Sequence, residues 1–90
     1  MSIEIIIPPS LQPLTGGESA ISASAGTIRN CLEDLADKYP ELRSRLFNNS
    51  GRLAGGLNVF INAEAAHPGE LARLVRDGDR LYLSYIVMGG

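Results

Sequence analysis

The sequence predicts a single α+β domain in which one main helix packs across one face of a mixed sheet of four to five strands. Two observations predict this class: one segment repeats apolar residues at helical spacing, and several shorter segments alternate with a period of two. The chain has 90 residues, of which 44% are hydrophobic and 20% charged, enough for one modest core without disulfides or metal.

Two strands are expected before the helix. Residues 2–7 form the first, with isoleucines alternating along it, and Pro8–Pro9 ends it because proline has no N–H for a sheet. Leu11 and Leu14 then fall in an irregular stretch. A weaker alternation over Glu18–Ala23 predicts the second strand, and Gly16–Gly17 is compatible with a hairpin turn between the two. The isoleucines predicted to share one face of the first strand are Ile3, Ile5 and Ile7.

The helix is predicted from Thr27, a good N-cap residue, to about Tyr39, since Pro40 disfavours helical backbone before it. Its apolar stripe comprises Ile28, Cys31, Leu32, Leu35 and Tyr39. One short further turn is expected around Leu42, Leu46 and Phe47.

The second half contains two stronger strands. Over Leu57–Asn62 the residues alternate between two faces, after a flexible point at Gly55–Gly56. Ala63–Gly69 is predicted to be a turn or loop. Asp77–Gly78–Asp79 has turn chemistry and leads into a last strand over Leu81–Ile86. Between these turns, a short apolar anchor is expected from Leu71, Leu74 and Val75.

The resulting order of strand, strand, helix, strand, short segment and strand fits the β-grasp (ubiquitin-like) arrangement best. We expect this domain to span residues 1–86, followed by a flexible tail over residues 87–90, namely Val87, Met88, Gly89 and Gly90. Because glycine has no Cβ, such an end can enter a narrow tunnel and present its terminal carboxylate there. A frayed terminus is the alternative interpretation of the diglycine.

Composition excludes several classes of function. The net charge is −2 with acids and bases interspersed, so no basic block predicts nucleic-acid or membrane binding. No apolar run is long enough for a bilayer, and the first residues lack the basic start of a signal peptide, which predicts a cytoplasmic protein. No metal site or catalytic group is predicted: Cys31 lies on the apolar helix stripe, and His67 stands alone in a loop.

Six segments of the chain form a recognisable series by their order and spacing: Leu11–Gly17, Gly26–Leu35, Pro40–Leu46, Leu57–Asn62, Leu71–Leu81 and Gly89–Gly90. With these segments the chain resembles the ThiS/MoaD family of sulfur carrier proteins, and most of all its CysO-like branch. The resemblance covers essentially the full length.

The family resemblance implies a carrier without catalytic groups or bound cofactor. A partner adenylyltransferase/sulfurtransferase would use ATP to adenylate the Gly90 carboxylate and convert it to a covalent thiocarboxylate. A sulfide-accepting synthase would then take the sulfur for cysteine or for another sulfur-containing metabolite or cofactor, and a metalloprotease could release the product or mature the tail. The alternatives are the small, MoaD-type subunit of molybdopterin synthase, a ubiquitin-like modifier, and an adaptor domain with an inert tail.

The alternation also predicts a partner-binding patch. If the aliphatic residues of the last two strands face the helix, an apolar set emerges on the opposite sheet face beside the root of the tail: Phe60, Tyr82, Ile86 and Ile6. We expect this patch to dock the activating enzyme.

Overall fold

The computed structural model describes residues 2–86. The predicted tail, Val87–Gly90, lies outside the described residues. The described part of the chain contains two sheets, two α-helices and three 3₁₀ helices, the last over Pro9–Thr15, Pro40–Leu42 and Glu70–Ala72. The bounds of the strands and α-helices are β1 Ser2–Ile6, β2 Ala20–Ser24, β3 Gly26–Thr27, α1 Ile28–Lys38, α2 Arg43–Leu46, β4 Leu57–Ile61, β5 Glu64–Ala65, β6 Leu74–Val75 and β7 Arg80–Tyr85.

The main sheet is mixed and has five strands in the order β2-β1-β7-β4-β5. The first and last long strands, β1 and β7, lie side by side and parallel in its centre, while every other pair in this sheet is antiparallel. A parallel central pair needs a crossover connection, and here that connection contains all the intervening elements, with α1 leading from the β2 side of the sheet to the β4 side. This topology confirms the β-grasp prediction.

The helix α1 covers one face of the sheet. Its N-cap is Thr27, whose side chain accepts a hydrogen bond from the Asn30 N–H at 3.1 Å, as the sequence predicts. The predicted stripe is buried from Ile28 to Leu35, and Tyr39 is half-buried at the helix end. The aliphatic side chains of the main sheet that share one buried core with α1 are Ile3, Ile5, Ile21, Leu57, Val59, Leu81 and Leu83. Within residues 2–86 the structure contains no helix of the length and apolarity that a membrane span requires.

Three local predictions need correction. The stretch around Leu11 and Leu14 is an ordered 3₁₀ helix, Pro9–Thr15, that buries Leu11. The predicted loop Ala63–Gly69 contains the edge strand β5, which makes the sheet five-stranded. Leu74 belongs to the small sheet that β3 and β6 form, but its side chain is 64% exposed, so it does not anchor the core; its neighbour Val75 does.

Element ends also shift by one or two residues. The second strand starts at Ala20 rather than Glu18, and the last runs from Arg80 to Tyr85, which leaves Ile86 just beyond it. Such shifts are ordinary at strand ends, where pairing with a neighbour decides the boundary.

Candidate partner-binding face and C-terminal exit

The open face of the sheet, opposite α1, carries a row of apolar side chains that crosses the central strands. Ile6 of β1 is paired with Tyr82 of β7, and Tyr82 is paired with Phe60 of β4. All three side chains are half-buried. We call Ile6, Tyr82 and Phe60 the central row. Ala20 and Ala65 extend it in register to both edges of the sheet.

Ile86, the fourth residue of the predicted patch, lies apart from the central row. It points to the same side of β7 as Tyr82, but the cross-strand pair Asn58–Ser84 separates the two. Its side chain is 54% exposed, whereas the row is only partly accessible. The described surface therefore presents an apolar row, a polar pair and then one isolated apolar residue at the exit of the chain.

A charged pair borders the row on its other side. The Arg80 guanidinium lies 3.3 Å from a carboxylate oxygen of Glu4, and the two residues are cross-strand partners. Both are largely exposed, so this ion pair contributes little to stability. Phe60, Tyr82 and Arg80 line an open groove on this face. An apolar centre with a polar border is the usual composition of a protein-binding surface.

Hydrogen bonds hold the end of β4 to the start of β7 at one end of this face. Asn62, which follows β4 with φ 55°, accepts the Arg80 N–H at 3.0 Å through its side-chain oxygen and donates to Asp79 Oδ1 at 3.1 Å. The Arg76 N–H donates to Asp79 Oδ2 at 2.9 Å. These hydrogen bonds lower the pKa of the Asp79 carboxyl, and the bond from the Arg76 N–H has the largest effect. The predicted Asp77–Gly78–Asp79 turn thus holds the start of β7.

The chain leaves the sheet at the opposite end, beside the turn that precedes β4. The Ile86 N–H donates to the Gly56 carbonyl oxygen at 2.9 Å, and the Leu57 N–H closes the turn onto the Ala54 carbonyl at 3.2 Å. The flexible point expected at Gly55–Gly56 is therefore an ordered turn. Its contact with Ile86 was not predictable from the sequence pattern, because neither glycine signals which distant residue approaches it.

The remaining reactive side chains lie away from this face. Cys31 is fully buried, its thiol donates to the Ser24 carbonyl at 3.5 Å, and burial, reinforced by Asp34, raises its pKa, so the thiol is a core group as predicted. His67 is exposed, with Nδ1 3.4 Å from a Glu70 carboxylate oxygen. Among residues 2–86, no three His, Cys, Asp or Glu side chains cluster closely enough to hold a metal ion.

Comparisons with known proteins identify relatives along the whole chain. The sulfur carrier protein CysO of Mycobacterium tuberculosis is 34% identical over 93 residues, which cover 100% of both chains. The small archaeal modifier protein 1 of Haloferax volcanii is 39% identical over 64 residues, or 71% of this chain and 70% of that protein. No family model matches the chain.

Solved structures agree with the sequence matches. A chain of the Amycolatopsis orientalis BexX/CysO complex superposes with a TM-score of 0.86 at 30% identity, covering 98% of this chain and 99% of that one. The crystal structure of the Haloferax volcanii modifier gives a TM-score of 0.84 at 30% identity and covers 100% of both chains.

Fold and relatives together define a ubiquitin-like β-grasp protein of the carrier and modifier class. Within that class, the chain belongs to the CysO-like sulfur carriers of the ThiS/MoaD family.

Proposed function

We propose that the protein carries sulfur as a thiocarboxylate on Gly90 and donates it in the biosynthesis of cysteine or of another sulfur-containing metabolite. The observation that carries the proposal is the full-length similarity to the CysO sulfur carrier in a chain that ends in Gly89–Gly90. The fold supports it, because β7 runs through the centre of the sheet and emerges at Ile86, four residues before Gly90.

The chemistry takes place in partner enzymes. The Gly90 carboxylate attacks the α-phosphorus of ATP in an adenylyltransferase, which forms an acyl-adenylate and releases pyrophosphate. Hydrosulfide (HS−) then attacks the acyl carbon, the acyl–oxygen bond to AMP breaks, AMP leaves with the former carboxylate oxygen, and the thiocarboxylate remains after loss of the S–H proton. Holding the sulfur on a tether converts a diffusible nucleophile into a positioned one, an effect that can contribute about 7–11 kcal/mol to lowering a barrier.

The described domain contributes recognition in this proposal. The central row gives the activating enzyme an apolar surface, and the Arg80–Glu4 pair at its border gives polar contacts that fix orientation. The Amycolatopsis orientalis relative was crystallised in a complex with BexX, which supports a partner protein for a carrier of this type. A second partner, a synthase, would accept the sulfur.

The proposal is tested by incubating the protein with a candidate adenylyltransferase, Mg-ATP and a sulfide source, and measuring its intact mass. Thiocarboxylate formation adds the mass difference between one sulfur and one oxygen atom, located on Gly90 by fragmentation. A variant that lacks Gly89 and Gly90 is the control and should gain no mass. Protein isolated from its own cells under sulfur-replete conditions with an unmodified Gly90, together with no mass gain in vitro, would contradict the proposal.

A second candidate function is conjugation to other proteins, because the chain also resembles a small archaeal modifier protein over 64 residues. Both functions begin with the same acyl-adenylate and differ in the nucleophile that follows. Mass spectrometry of total cell protein distinguishes them: a modifier leaves Gly90 in an isopeptide bond to lysine side chains of other proteins, whereas a carrier is recovered free or as its thiocarboxylate.

A further inference from the structure

Gly56 occupies a position that only glycine fits without strain. It is the third residue of the turn closed by Leu57 and Ala54, and its φ of 88° lies in the region that a type II turn requires there. A Cβ at Gly56 would also collide with the Ile86 carbonyl oxygen. Gly55, the preceding turn residue, has open space around it.

The close approach fixes the last described residue of the chain. The β4–β7 register pairs Leu57 with Tyr85, so Gly56 and Ile86 form the next pair. The Ile86 N–H donates a hydrogen bond to the Gly56 carbonyl, and the Ile86 carbonyl oxygen occupies the space that a Cβ at position 56 would need. The Ile86 carbonyl carbon forms the peptide bond to Val87, so contact with Gly56 fixes the point at which the final four residues are attached.

We propose that Gly56 is a positioning residue for the C-terminal segment: by allowing the Ile86 backbone to close against the turn, it fixes the point from which the last four residues reach the reacting ATP of the activating enzyme. This inference rests on the proposed function. Four residues reach at most roughly 14 Å, so the position of Ile86 limits where Gly90 can react. In positioned reactions, a displacement of about 1 Å can reduce the rate roughly a hundredfold.

The test compares Gly56→Ala with two matched alanine variants. Gly55→Ala adds the same methyl group one residue away in open space, and Gly51→Ala adds it at a positive φ of 77° with no atom in reach, which reproduces the backbone strain without the collision. Gly56→Asn is the second variant, to be used if Gly56→Ala does not fold, since Asn tolerates positive φ and keeps the offending Cβ.

Two measurements are made on each folded variant. The first is hydrogen exchange of the Ile86 amide in the protein alone, which we expect to accelerate at least roughly tenfold in the Gly56 variants, because the bond to Gly56 opens. The second is the steady-state kinetics of pyrophosphate release with the activating enzyme. We expect kcat to fall roughly tenfold to a hundredfold with KM within about threefold of wild type, because docking through the central row is intact. Both controls should keep wild-type values.

The outcomes separate the two claims. If the wild-type protein is not adenylated, the proposed function fails, and the positioning role fails with it. If the wild type is adenylated and a Gly56 variant keeps its kcat, or if Ile86 exchange is unchanged, the positioning role alone is wrong. A loss of kcat in Gly51→Ala equal to that in Gly56→Ala also overturns the positioning role, because backbone strain away from Ile86 would then be enough to lower kcat.

Discussion

Replacing Phe60 with Asp tests the central row as the docking surface for the activating enzyme. Phe60 lies on β4 opposite Tyr82, and its ring is half-buried on the open face rather than packed under α1. The substitution removes an aromatic anchor and puts a carboxylate in the middle of the row. In a complex that covers the central row, the Asp carboxylate would be desolvated without a positively charged partner to compensate.

The cost to folding should be small compared with the cost to binding. Full burial of a Phe side chain is worth about 1.5–3 kcal/mol, so a half-buried ring contributes about 1 kcal/mol. The poorer strand preference of Asp adds up to about 1 kcal/mol. A 90-residue domain at about 0.05–0.15 kcal/mol per residue has roughly 5–13 kcal/mol of stability, so the variant stays folded. An interface hot spot costs at least about 2 kcal/mol, which is roughly a thirtyfold loss of affinity.

The assay measures kcat/KM for pyrophosphate release together with thermal unfolding of each variant. Leu74→Asp is the matched control, since it makes the same kind of exchange at an exposed apolar residue of the small sheet, away from the open face. We expect kcat/KM to fall at least about thirtyfold for Phe60→Asp, and to stay near wild type for Leu74→Asp. A folded Phe60→Asp protein with kcat/KM within about twofold of wild type would refute docking through the central row.

Three further predictions concern the described domain. Thr27→Ala should lower the free energy of unfolding by about 1 kcal/mol in urea titrations, with Thr27→Ser close to wild type; equal losses in both would exclude a cap. The hydrogen bonds from Arg76 and Asn62 hold the pKa of Asp79 below its ordinary value of 3.8, so its stabilising effect is complete above pH 3.8 and is lost as pH falls through the lower folded value. The stability difference between wild type and Asp79→Asn should therefore shrink in acid, and a constant difference from pH 7 to pH 2 would contradict this. Because burial raises its pKa, the Cys31 thiol should react with iodoacetamide only after denaturation; rapid labelling of the folded protein would contradict its burial.

Local patterns in the sequence determined most of the elements. The stripe from Ile28 to Leu35 and the N-cap at Thr27 predict α1, and alternation over residues 57–62 assigns Val59 to the core and Phe60 to the open face. These features depend on residues within a few positions of one another, so they can be predicted without knowledge of the fold. The element order and its motifs were then enough to indicate the β-grasp class and the family.

Features that depend on pairing between distant segments could not be predicted from local patterns. The strands β3, β5 and β6 have two residues each, too few to show any periodicity, and exist because a partner strand lies beside them. The 3₁₀ helix over Pro9–Thr15 contains two prolines that argue against a regular helix, yet the burial of Leu11 holds it in place.

The candidate site likewise has features that the sequence predicts and features that only the fold determines. By itself, the sequence determined the diglycine end, the alternation that turns Phe60 and Tyr82 to one face, and the glycine turn at 55–56. Only the tertiary structure decided that Ile6 joins them in one row, that Ile86 stands apart from it, and that Gly56 closes on the Ile86 backbone. The physical reason is that side-chain direction follows from the local backbone, whereas register and close approach are set by contacts between segments about thirty to eighty residues apart.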